Sequence, residues 1–386
     1  MLVLVINSGS SSLKYQVRDV AAGTVLTEGL IEKIGMGNGG GGDGEPVGPR
    51  DHAEALEQVD AAIHQELGDL ELGAVGHRVV HGGERFSEPV LVDNEITRAI
   101  ERLNPLAPLH NPANVLGIRA ITKKWPKMPQ VAVFDTAFHR TLPEHAWRYA
   151  VPDELYTNHG IRRYGFHGTS HEYVARRSAA LLDLPIEEFD AVIAHLGNGA
   201  SVTAIRGGRS VDTSMGFTPL EGLVMGTRSG DLDPSILVFL GRAGWSPEDI
   251  DTMLNRESGL KGLAGNNDMR SVVEASEAGD ERASMALAVA SYRLAKYIGG
   301  YHVAVGGAKA LVFTAGIGEN SQQFRAQVAD RLGALGIELD GGLNAARSKE
   351  PRVISTPSSA IPVLVVPTDE ELAIAEATAA VVSAAR

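Results

Sequence analysis

The sequence of 386 residues contains no cysteine. This absence excludes disulfide bonds, thiolate metal sites, iron–sulfur clusters and cysteine nucleophiles, and it fits a reducing, cytoplasmic location. The chain also lacks a long hydrophobic run near its start. The first apolar segment, residues 2–6, follows no basic region and is too short for a signal peptide or a membrane span. We therefore interpret this segment as a buried strand.

Positive charge is scarce. The 35 Lys and Arg residues against 48 Asp and Glu residues give a net charge of −13 at pH 7. This is the wrong sign for a protein that neutralises the phosphates of a nucleic acid or of anionic lipids, so we expect neither partner. Apolar residues make up 44% and charged residues 22%, which is typical of a folded globular protein. The length exceeds what one core normally organises and predicts two domains.

Glycine is in excess, and its distribution is informative. Three turns that contain glycine directly follow apolar strands, at residues 7–12, 196–201 and 316–320. Such turns let backbone N–H groups approach an anion, and Lys14 lies just beyond the first, so the pattern favours phosphate binding. A separate glycine-rich tract, residues 35–48, has no periodicity and is predicted to be a mobile surface loop; its match to G-x-G-x-x-G is accidental.

Several common catalytic signatures are absent. The sequence has no Walker G-x-x-x-x-G-K-[ST] motif, no H-R-D kinase loop and no G-x-S-x-G elbow. His167 and His171 have the i, i+4 spacing of metal ligands, but the glutamate of H-E-x-x-H is missing. A hydrogen-bonding role for His167 and a helix-capping role for His171 are the favoured interpretations.

The chain contains two similar strand–turn–strand units, about half its length apart. The first comprises residues 2–6, the turn at 7–12 and residues 13–17, in which apolar and polar residues alternate. The second comprises residues 191–195, the turn at 196–201 and residues 202–205. Helical and strand patterns alternate elsewhere, so we predict two similar α/β domains that face one cleft.

Two arginines and two acids stand at positions that suggest chemistry. Arg78 interrupts a buried strand and Arg228 lies in a glycine-rich loop. Arginine suits bidentate recognition of carboxylate or phosphate, so the pair could clamp a phosphoryl group; a structural ion pair and a solvated surface are the alternatives. Asp135 and Glu370 each follow an apolar strand, and with Asn7 they offer the oxygen ligands that Mg²⁺ prefers, although a loop or a helix cap would also explain either acid.

Together these segments resemble the acetate kinase family of acyl kinases. The similarity runs from residue 7 to residue 371, in the family's order, and includes long ungapped strings. The motifs are residues 7–14, 76–83 (GHRVVHGG), 134–139, 163–171 (RYGFHGTSH), 195–201, 226–234 (GTRSGDLDP) and 316–320.

The resemblance implies a fold and an activity. The fold is α/β, with two domains of duplicated actin-like, ribonuclease H-like core and an interdomain cleft, as in the acetate and sugar kinase, heat-shock ATPase and actin superfamily. Residues 1–135 and 371–386 would form the first domain, and residues 136–370 the second, which binds the nucleotide. The activity is reversible phosphoryl transfer between ATP and acetate, giving ADP and acetyl phosphate, with Mg²⁺ or Mn²⁺, in a cytoplasmic homodimer.

The resemblance also assigns roles to residues. Arg78 and Arg228 clamp carboxylate and phosphoryl oxygens, His167 donates a hydrogen bond to the transferring group, and Asp135 matches the family's essential acid. The metal positions are Asn7 and Glu370. The nucleotide contacts are Lys14, His195, Leu196, Gly197, Asn198, Gly199, Asp268, Met269, Arg270, Gly316, Ile317, Gly318, Glu319 and Asn320. The acyl pocket is Arg78, Val80, Leu109, His110, Phe166 and Pro219.

Three points qualify the resemblance. The family commonly has Asn where this chain has Asp369, and Gly where it has Ala315. A short-chain carboxylic acid has a pKa of about 4.3, so the nucleophile is already ionised at neutral pH and Asp135 is predicted to orient a partner rather than act as a base. A propionate or butyrate kinase, or a nucleotide-dependent sensor that transfers no phosphate, are the alternative functions.

Overall fold

The computed structural model describes residues 1–35, 48–68 and 70–385. The predicted mobile loop therefore lies outside the described residues, apart from Gly35 and Gly48. The chain divides into two compact units, Met1–Phe138 with Asp369–Arg386, and His139–Thr368. Each unit contains one six-stranded mixed sheet with helices packed on it.

The first sheet has the strand order β3-β2-β1-β4-β6-β5. Its strands are β1 (Leu2–Ser8), β2 (Ser12–Asp19), β3 (Thr24–Glu32), β4 (Ala74–Val79), β5 (Val90–Leu91) and β6 (Gln130–Phe134). The second sheet has the order β11-β12-β10-β7-β8-β9. Its strands are β7 (Ala191–Leu196), β8 (Ala200–Arg206), β9 (Arg209–Thr213), β10 (Ala310–Thr314), β11 (Arg352–Val353) and β12 (Val363–Val365).

The two sheets have the same topology. In each, the first three strands form an antiparallel meander, and the first strand also pairs in parallel with the fourth. The fourth pairs in parallel with the sixth, and a two-residue strand closes the edge in antiparallel orientation. The second and third strands even share a register shift, between Val17 and Arg18 and between Ala204 and Ile205. The predicted duplication is confirmed.

The helices connect and cover these sheets. In chain order they are α1 (His52–Leu67), α2 (Asn94–Glu101), α3 (Asn111–Lys124), α4 (Glu144–Trp147), α5 (Asp153–His159), α6 (Gly168–Leu181), α7 (Ser235–Arg242), α8 (Pro247–Thr252), α9 (Gly259–Ala264), α10 (Met269–Glu277), α11 (Glu281–Val305), α12 (Ala315–Asn320), α13 (Gln322–Asp330), α14 (Gly341–Ala345) and α15 (Glu370–Ala384). Short 3₁₀ turns lie at Asn104–Leu106, Ala137–Thr141, Ile186–Glu188 and Gly333–Leu335, and a π-helical turn at Met253–Glu257.

Helices from both ends of the chain cover the first sheet. Alternate residues of a strand point to opposite faces. On one face of β1, Leu4 and Ile6 pack in a cluster with residues of α1 and α3; on the other, Val3 and Val5 pack with Ile374 and other residues of α15. The last helix therefore completes the first unit. In the second unit α11 packs across β7, β8 and β9, and α6 packs on β7.

Two details differ from the sequence-based expectations. The alternation predicted for residues 13–17 is wrong at Gln16, which is buried. Its amide donates to Glu28 Oε2 at 2.6 Å and accepts from Arg18 Nε at 2.9 Å, so hydrogen bonds satisfy its polar atoms. The helix predicted to be buried at residues 285–304 forms as α11, but Met285 and Tyr292 are exposed.

None of the helices in the described ranges combines the length and apolar character that crossing a membrane requires.

Candidate active site

Arg78 and Asp135 form a two-point ion pair in the first unit. Arg78 lies on β4 opposite Val133 of β6, so the acid that follows β6 lies just beyond it. Arg78 Nε donates to Asp135 Oδ1 at 3.0 Å, and Nη2 donates to Oδ2 at 2.6 Å. The carboxylate is almost fully buried. This fork geometry fixes the orientation of both groups, because two parallel hydrogen bonds leave neither free to rotate.

A second acid reinforces the charge of Arg78. Its Nε lies 3.6 Å from Glu370 Oε2, at the start of α15. Burial works against the charged guanidinium, but the carboxylates of Asp135 and Glu370 outweigh it and raise the pKa of Arg78. Arg78 is therefore a permanent cation with a fixed direction, whose side chain remains partly exposed.

The other two acids at the start of α15 already have basic partners. Asp369 caps the helix by accepting from Leu372 N at 3.0 Å, and it accepts from Arg18 Nη2 at 2.7 Å. Glu371 pairs with Lys14. Burial opposes ionisation of Glu371, but the hydrogen bond and charge of Lys14 prevail and lower its pKa. Lys14, predicted to contact the nucleotide, thus lies in the first unit in an ion pair with Glu371.

The predicted metal residues offer a sparse set of oxygen ligands. Asn7 lies near the end of β1, opposite Lys14 in the register, and Glu370 begins α15. The described residues contain no cluster of three or more His, Asp or Glu side chains that could hold a metal ion. Mg²⁺ usually binds through one or two carboxylates, several waters and the phosphates of the substrate. One amide and one carboxylate therefore fit Mg²⁺ held jointly with a phosphate.

The predicted acyl-pocket residues are divided between the units. In the first unit Val80 is buried, and its backbone N–H donates to Asn114 Oδ1 at 3.1 Å. Leu109 is 59% exposed, and His110 immediately precedes α3. In the second unit Phe166 is buried and Pro219 is partly buried.

In the second unit, Gly199 stands beside two of the predicted catalytic side chains. It lies in the tight turn between β7 and β8, where Gly197 N donates to Gly199 O at 3.1 Å. A Cβ at Gly199 would lie 3.4 Å from Arg228 Nη1 and 3.7 Å from His167 Nε2. Arg228 and His167 are thus neighbours of one point on the turn, and the missing side chain leaves that point open.

Arg228 differs from Arg78, because the described residues give it no acidic partner. Its Nη1 donates to the carbonyl of Pro219 at 3.3 Å, and no carboxylate among the described residues of its unit forms an ion pair with it. Burial lowers the pKa of Arg228. A partly buried cation without a counter-charge is suited to bind an anion.

The backbone and the ring of His167 are both constrained. The residue precedes α6 and has a backbone φ of 58°, a conformation that residues other than glycine rarely adopt. Its ring stacks on that of His195 with centroids 4.2 Å apart. His167 Nδ1 lies 2.9 Å from Ser201 Oγ, and His195 Nδ1 lies 2.8 Å from Ser170 Oγ.

A cavity of about 680 Å³ lies beside the turns that follow β7 and β10. This volume suits a small-molecule ligand such as a nucleotide. Eight of the predicted nucleotide residues line it: Gly197, Asn198, Asp268, Met269, Arg270, Gly316, Ile317 and Asn320.

The remaining predicted nucleotide residues are placed elsewhere. Within the described part of the chain, the residues that line this cavity do not include His195, Leu196, Gly199, Gly318 or Glu319. The Glu319 carboxylate instead accepts from Thr368 N at 3.1 Å, and burial raises its pKa.

Sequence reasoning missed several residues of this cavity. They are Val273, Glu274, Glu277, Ser321, Gln323 and Arg347. Glu274 and Glu277 lie on α10, where acids on a solvated helix carry no signal of a ligand. Ser201 was part of a predicted phosphate turn but received no role of its own; only the fold shows that its hydroxyl meets two histidine rings.

A family model described as the Acetokinase family matches residues 2–376. The chain belongs to the acetokinase family. It is 91% identical over 386 residues to a protein named acetate kinase from Pseudarthrobacter chlorophenolicus, with 100% of both chains covered.

Two solved structures resemble the whole chain. One is acetate kinase from Porphyromonas gingivalis, with a TM-score of 0.92, 43% identity and 99% of each chain covered. The other is a propionate kinase from Francisella tularensis subsp. tularensis, with a TM-score of 0.91, 41% identity, and 97% of this chain and 98% of that chain covered.

The structure shows the local consequences of the two departures from the family's pattern. The extra charge of Asp369 is balanced by Arg18 and used to cap α15. Ala315 has φ of 64°, in the left-handed region where glycine is at ease. An alanine there strains the backbone by roughly 1–2 kcal/mol, at the start of α12 beside the cavity.

We predict that Gly199→Ala lowers activity by about 10²-fold or more. The new methyl group would lie against both Arg228 and His167, the two side chains predicted to contact the transferring group. The backbone there needs no positive φ, so thermal stability should change little. Steady-state kinetics and thermal unfolding of the purified variant check this.

Gly299→Ala is the matched control, because its Cβ on α11 would meet no atom within 4 Å. Equal losses of activity in both variants would contradict a specific role for the open point at Gly199.

Proposed function

We propose that the protein is an acetate kinase, which transfers the γ-phosphoryl group of ATP to acetate and forms acetyl phosphate and ADP, reversibly. The observation that carries this proposal is the partly buried Arg228, without a carboxylate partner in its own unit, beside His167 and a glycine turn. The high identity to acetate kinases over the whole chain supports it.

The reaction needs no proton acceptor. A carboxylate oxygen of acetate attacks the γ-phosphorus, and an oxygen–phosphorus bond forms. The bond to the bridging oxygen breaks, and its electron pair leaves on ADP. Because acetate is already an anion at neutral pH, the protein's task is to hold two negatively charged reactants in line and to stabilise the transferring group.

The second unit would supply the phosphoryl-binding groups. The cavity beside the 197–199 turn would hold the nucleotide, with backbone N–H groups and Asn198 near its phosphates. Arg228 would bind the equatorial oxygens of the transferring phosphoryl group, where negative charge is concentrated. His167 would donate a hydrogen bond to the same group.

The first unit would supply the acceptor-binding groups. Arg78, held by Asp135, would present its exposed edge to the carboxylate of acetate. Val80 and Leu109 would provide apolar contacts for the methyl group, and His110 would lie nearby. The resemblance assigns the same role to Phe166 and Pro219 of the second unit. One additional methylene changes transfer energy by only about 0.8 kcal/mol, so propionate or butyrate remain alternative substrates.

Asn7 and Glu370 would hold Mg²⁺, and Mn²⁺ could replace it. The ion would neutralise charge on the phosphate oxygens of the nucleotide. Arg78 near Glu370 would then orient this carboxylate as well as bind the acceptor.

The decisive assay is acyl phosphate formation from ATP, Mg²⁺ and acetate, propionate or butyrate, trapped with hydroxylamine. We expect acetate to give the highest kcat/KM, and Arg228→Ala to lose about 10³-fold or more. A larger kcat/KM with propionate, as the resemblance to a propionate kinase allows, would rename the substrate. Nucleotide binding without acyl phosphate would support the sensor alternative.

Asp135→Asn tests whether this acid orients Arg78 or acts as a base. We expect kcat/KM to fall by about 10²-fold because one of the two fork contacts is lost. The acidic limb of the pH–rate profile should stay where it is in the wild type. Recovery of activity by raising the pH alone would show instead that Asp135 accepts a proton.

We also propose that the protein is cytoplasmic, because ATP is the phosphoryl donor. We further propose that it forms a homodimer, because α7 presents an apolar surface. None of the residues of α7 is buried. Ile236, Val238 and Phe239 are 44%, 55% and 69% exposed, and Trp245 follows them. Exposed apolar groups clustered in this way mark an interaction surface, and a second copy of the chain would cover it by two-fold symmetry.

Phe239→Asp is expected to convert the dimer to a monomer, because it would bury a carboxylate in the apolar interface. Sedimentation velocity of the wild type and the variant measures this. Leu70→Asp, which changes an exposed leucine outside α7, is the control and should remain dimeric. A monomeric wild type, or a dimeric Phe239→Asp, would refute this surface.

A further inference from the structure

Ser201 lies between two imidazole rings. Its Oγ is 2.9 Å from His167 Nδ1 and 2.8 Å from His171 Nε2. The hydroxyl is fully buried on β8, and His171 is fully buried on α6. A hydroxyl has one proton and can donate to only one of the two rings. Among the described residues Ser201 Oγ has no third partner, so accepting from both rings would leave its buried proton without an acceptor, whereas donating to one ring and accepting from the other pairs every group. The direction of this chain of hydrogen bonds decides which nitrogen of His167 has the proton.

The environment of His171 determines that direction. Burial lowers the pKa of His171 well below its usual value, so the ring is neutral and has a single N–H. Its Nδ1 is buried and makes no hydrogen bond within the described part of the chain. A buried N–H without an acceptor is rarer and costlier than an acceptor without a donor, so the proton belongs on Nε2. His171 Nε2 therefore donates to Ser201 Oγ.

We propose that His171 and Ser201 are positioning residues that fix the tautomer of His167. His171 Nε2–H donates to Ser201 Oγ, and Ser201 donates its proton to His167 Nδ1. A ring proton of His167 is thereby held on Nε2. That nitrogen is the one beside the Gly199 turn and Arg228. The inference rests on the proposed function, because an N–H in this place is what a transferring phosphoryl group requires.

Neighbouring contacts hold the His167 ring in the orientation that these hydrogen bonds need. His139 Nε2 donates to the carbonyl of Phe166 at 2.9 Å, and Ser210 Oγ donates to His139 Nδ1 at 2.8 Å. The Phe166 carbonyl can only accept, so His139 Nε2 has the proton. Burial lowers the pKa of His139 to about 4, so the ring is neutral and its Nδ1 accepts from Ser210. The backbone just before His167 is therefore anchored, while the stacked ring of His195 limits rotation of the imidazole.

The tautomer of His167 can be measured without turnover. In protein labelled with ¹⁵N-histidine, a two-bond ¹H–¹⁵N correlation spectrum at about pH 8 distinguishes ring protons on Nδ1 and Nε2. The spectrum of His167→Gln assigns the signal. We expect the wild-type ring to have its proton on Nε2. A wild-type signal with the proton on Nδ1 would overturn the proposal, whatever the activity.

Ser201→Ala should release the ring. We expect a mixed tautomer signal and a kcat lower by about 10-fold to 100-fold, with KM for ATP and acetate within about twofold, because the lost interaction acts on the transition state. Ser201→Thr keeps the hydroxyl and should restore the signal and most of kcat. Ser178→Ala is the matched control, since this buried serine on α6 makes no hydrogen bond within the described residues.

His171→Phe gives an independent measurement should Ser201→Ala fold poorly. Phenylalanine fills a volume similar to that of histidine but has no N–H to donate to Ser201. We therefore expect the same mixed tautomer signal and the same loss of kcat. An unchanged tautomer and kcat in a folded Ser201→Ala or His171→Phe variant would overturn the proposal. A wild type that forms no acyl phosphate but has the Nε2–H tautomer would instead refute only the proposed function.

Discussion

Parallel pairing at the centre of each sheet is the constraint on which the candidate site depends. Parallel strands end at the same edge, so the segments that follow them must be neighbours. In the first unit this pairing puts Asp135, after β6, within reach of Arg78 on β4. In the second unit it aligns the end of β7 with the end of β10, His195 opposite Thr314, and so brings the 197–199 turn beside α12. The duplicated topology therefore produces a candidate ligand-binding edge in each unit.

The fold was largely predictable from the sequence because its signals are local. Short apolar runs, glycine turns and helical spacing identify β1, β4, β6, β7, β10 and β12 together with α1, α3 and α15. The buried polar residues could not be predicted in this way. Gln16 and Arg18 alternate with apolar residues as surface positions do, and only Glu28 and Asp369, distant in sequence, explain their burial.

The sequence singles out many residues of the candidate site, but it does not show how their charged groups pair. Arg78 and Arg228 are both arginines near glycines, yet one has two carboxylates beside it and the other has none in its unit. The difference decides their electrostatics: the carboxylates raise the pKa of Arg78, whereas burial lowers that of Arg228. Glu370 and Glu371 are likewise adjacent in sequence, but Lys14 engages only the second. Such pairing depends on strands and helices that are far apart along the chain.

The electrostatics of the site agree with a reaction between two anions. Arg78 is a cation of fixed direction, and Arg228 has no counter-charge among the described residues of its own unit. The histidines that support His167 have the opposite character, since burial lowers the pKa of both His139 and His171. A neutral supporting network adds no charge that would compete with the phosphate for the arginines, yet it directs one N–H bond. In the proposed reaction, neutral donors oriented by buried partners, together with an arginine without a counter-charge in its unit, would stabilise charge on a phosphoryl group without any proton having to move.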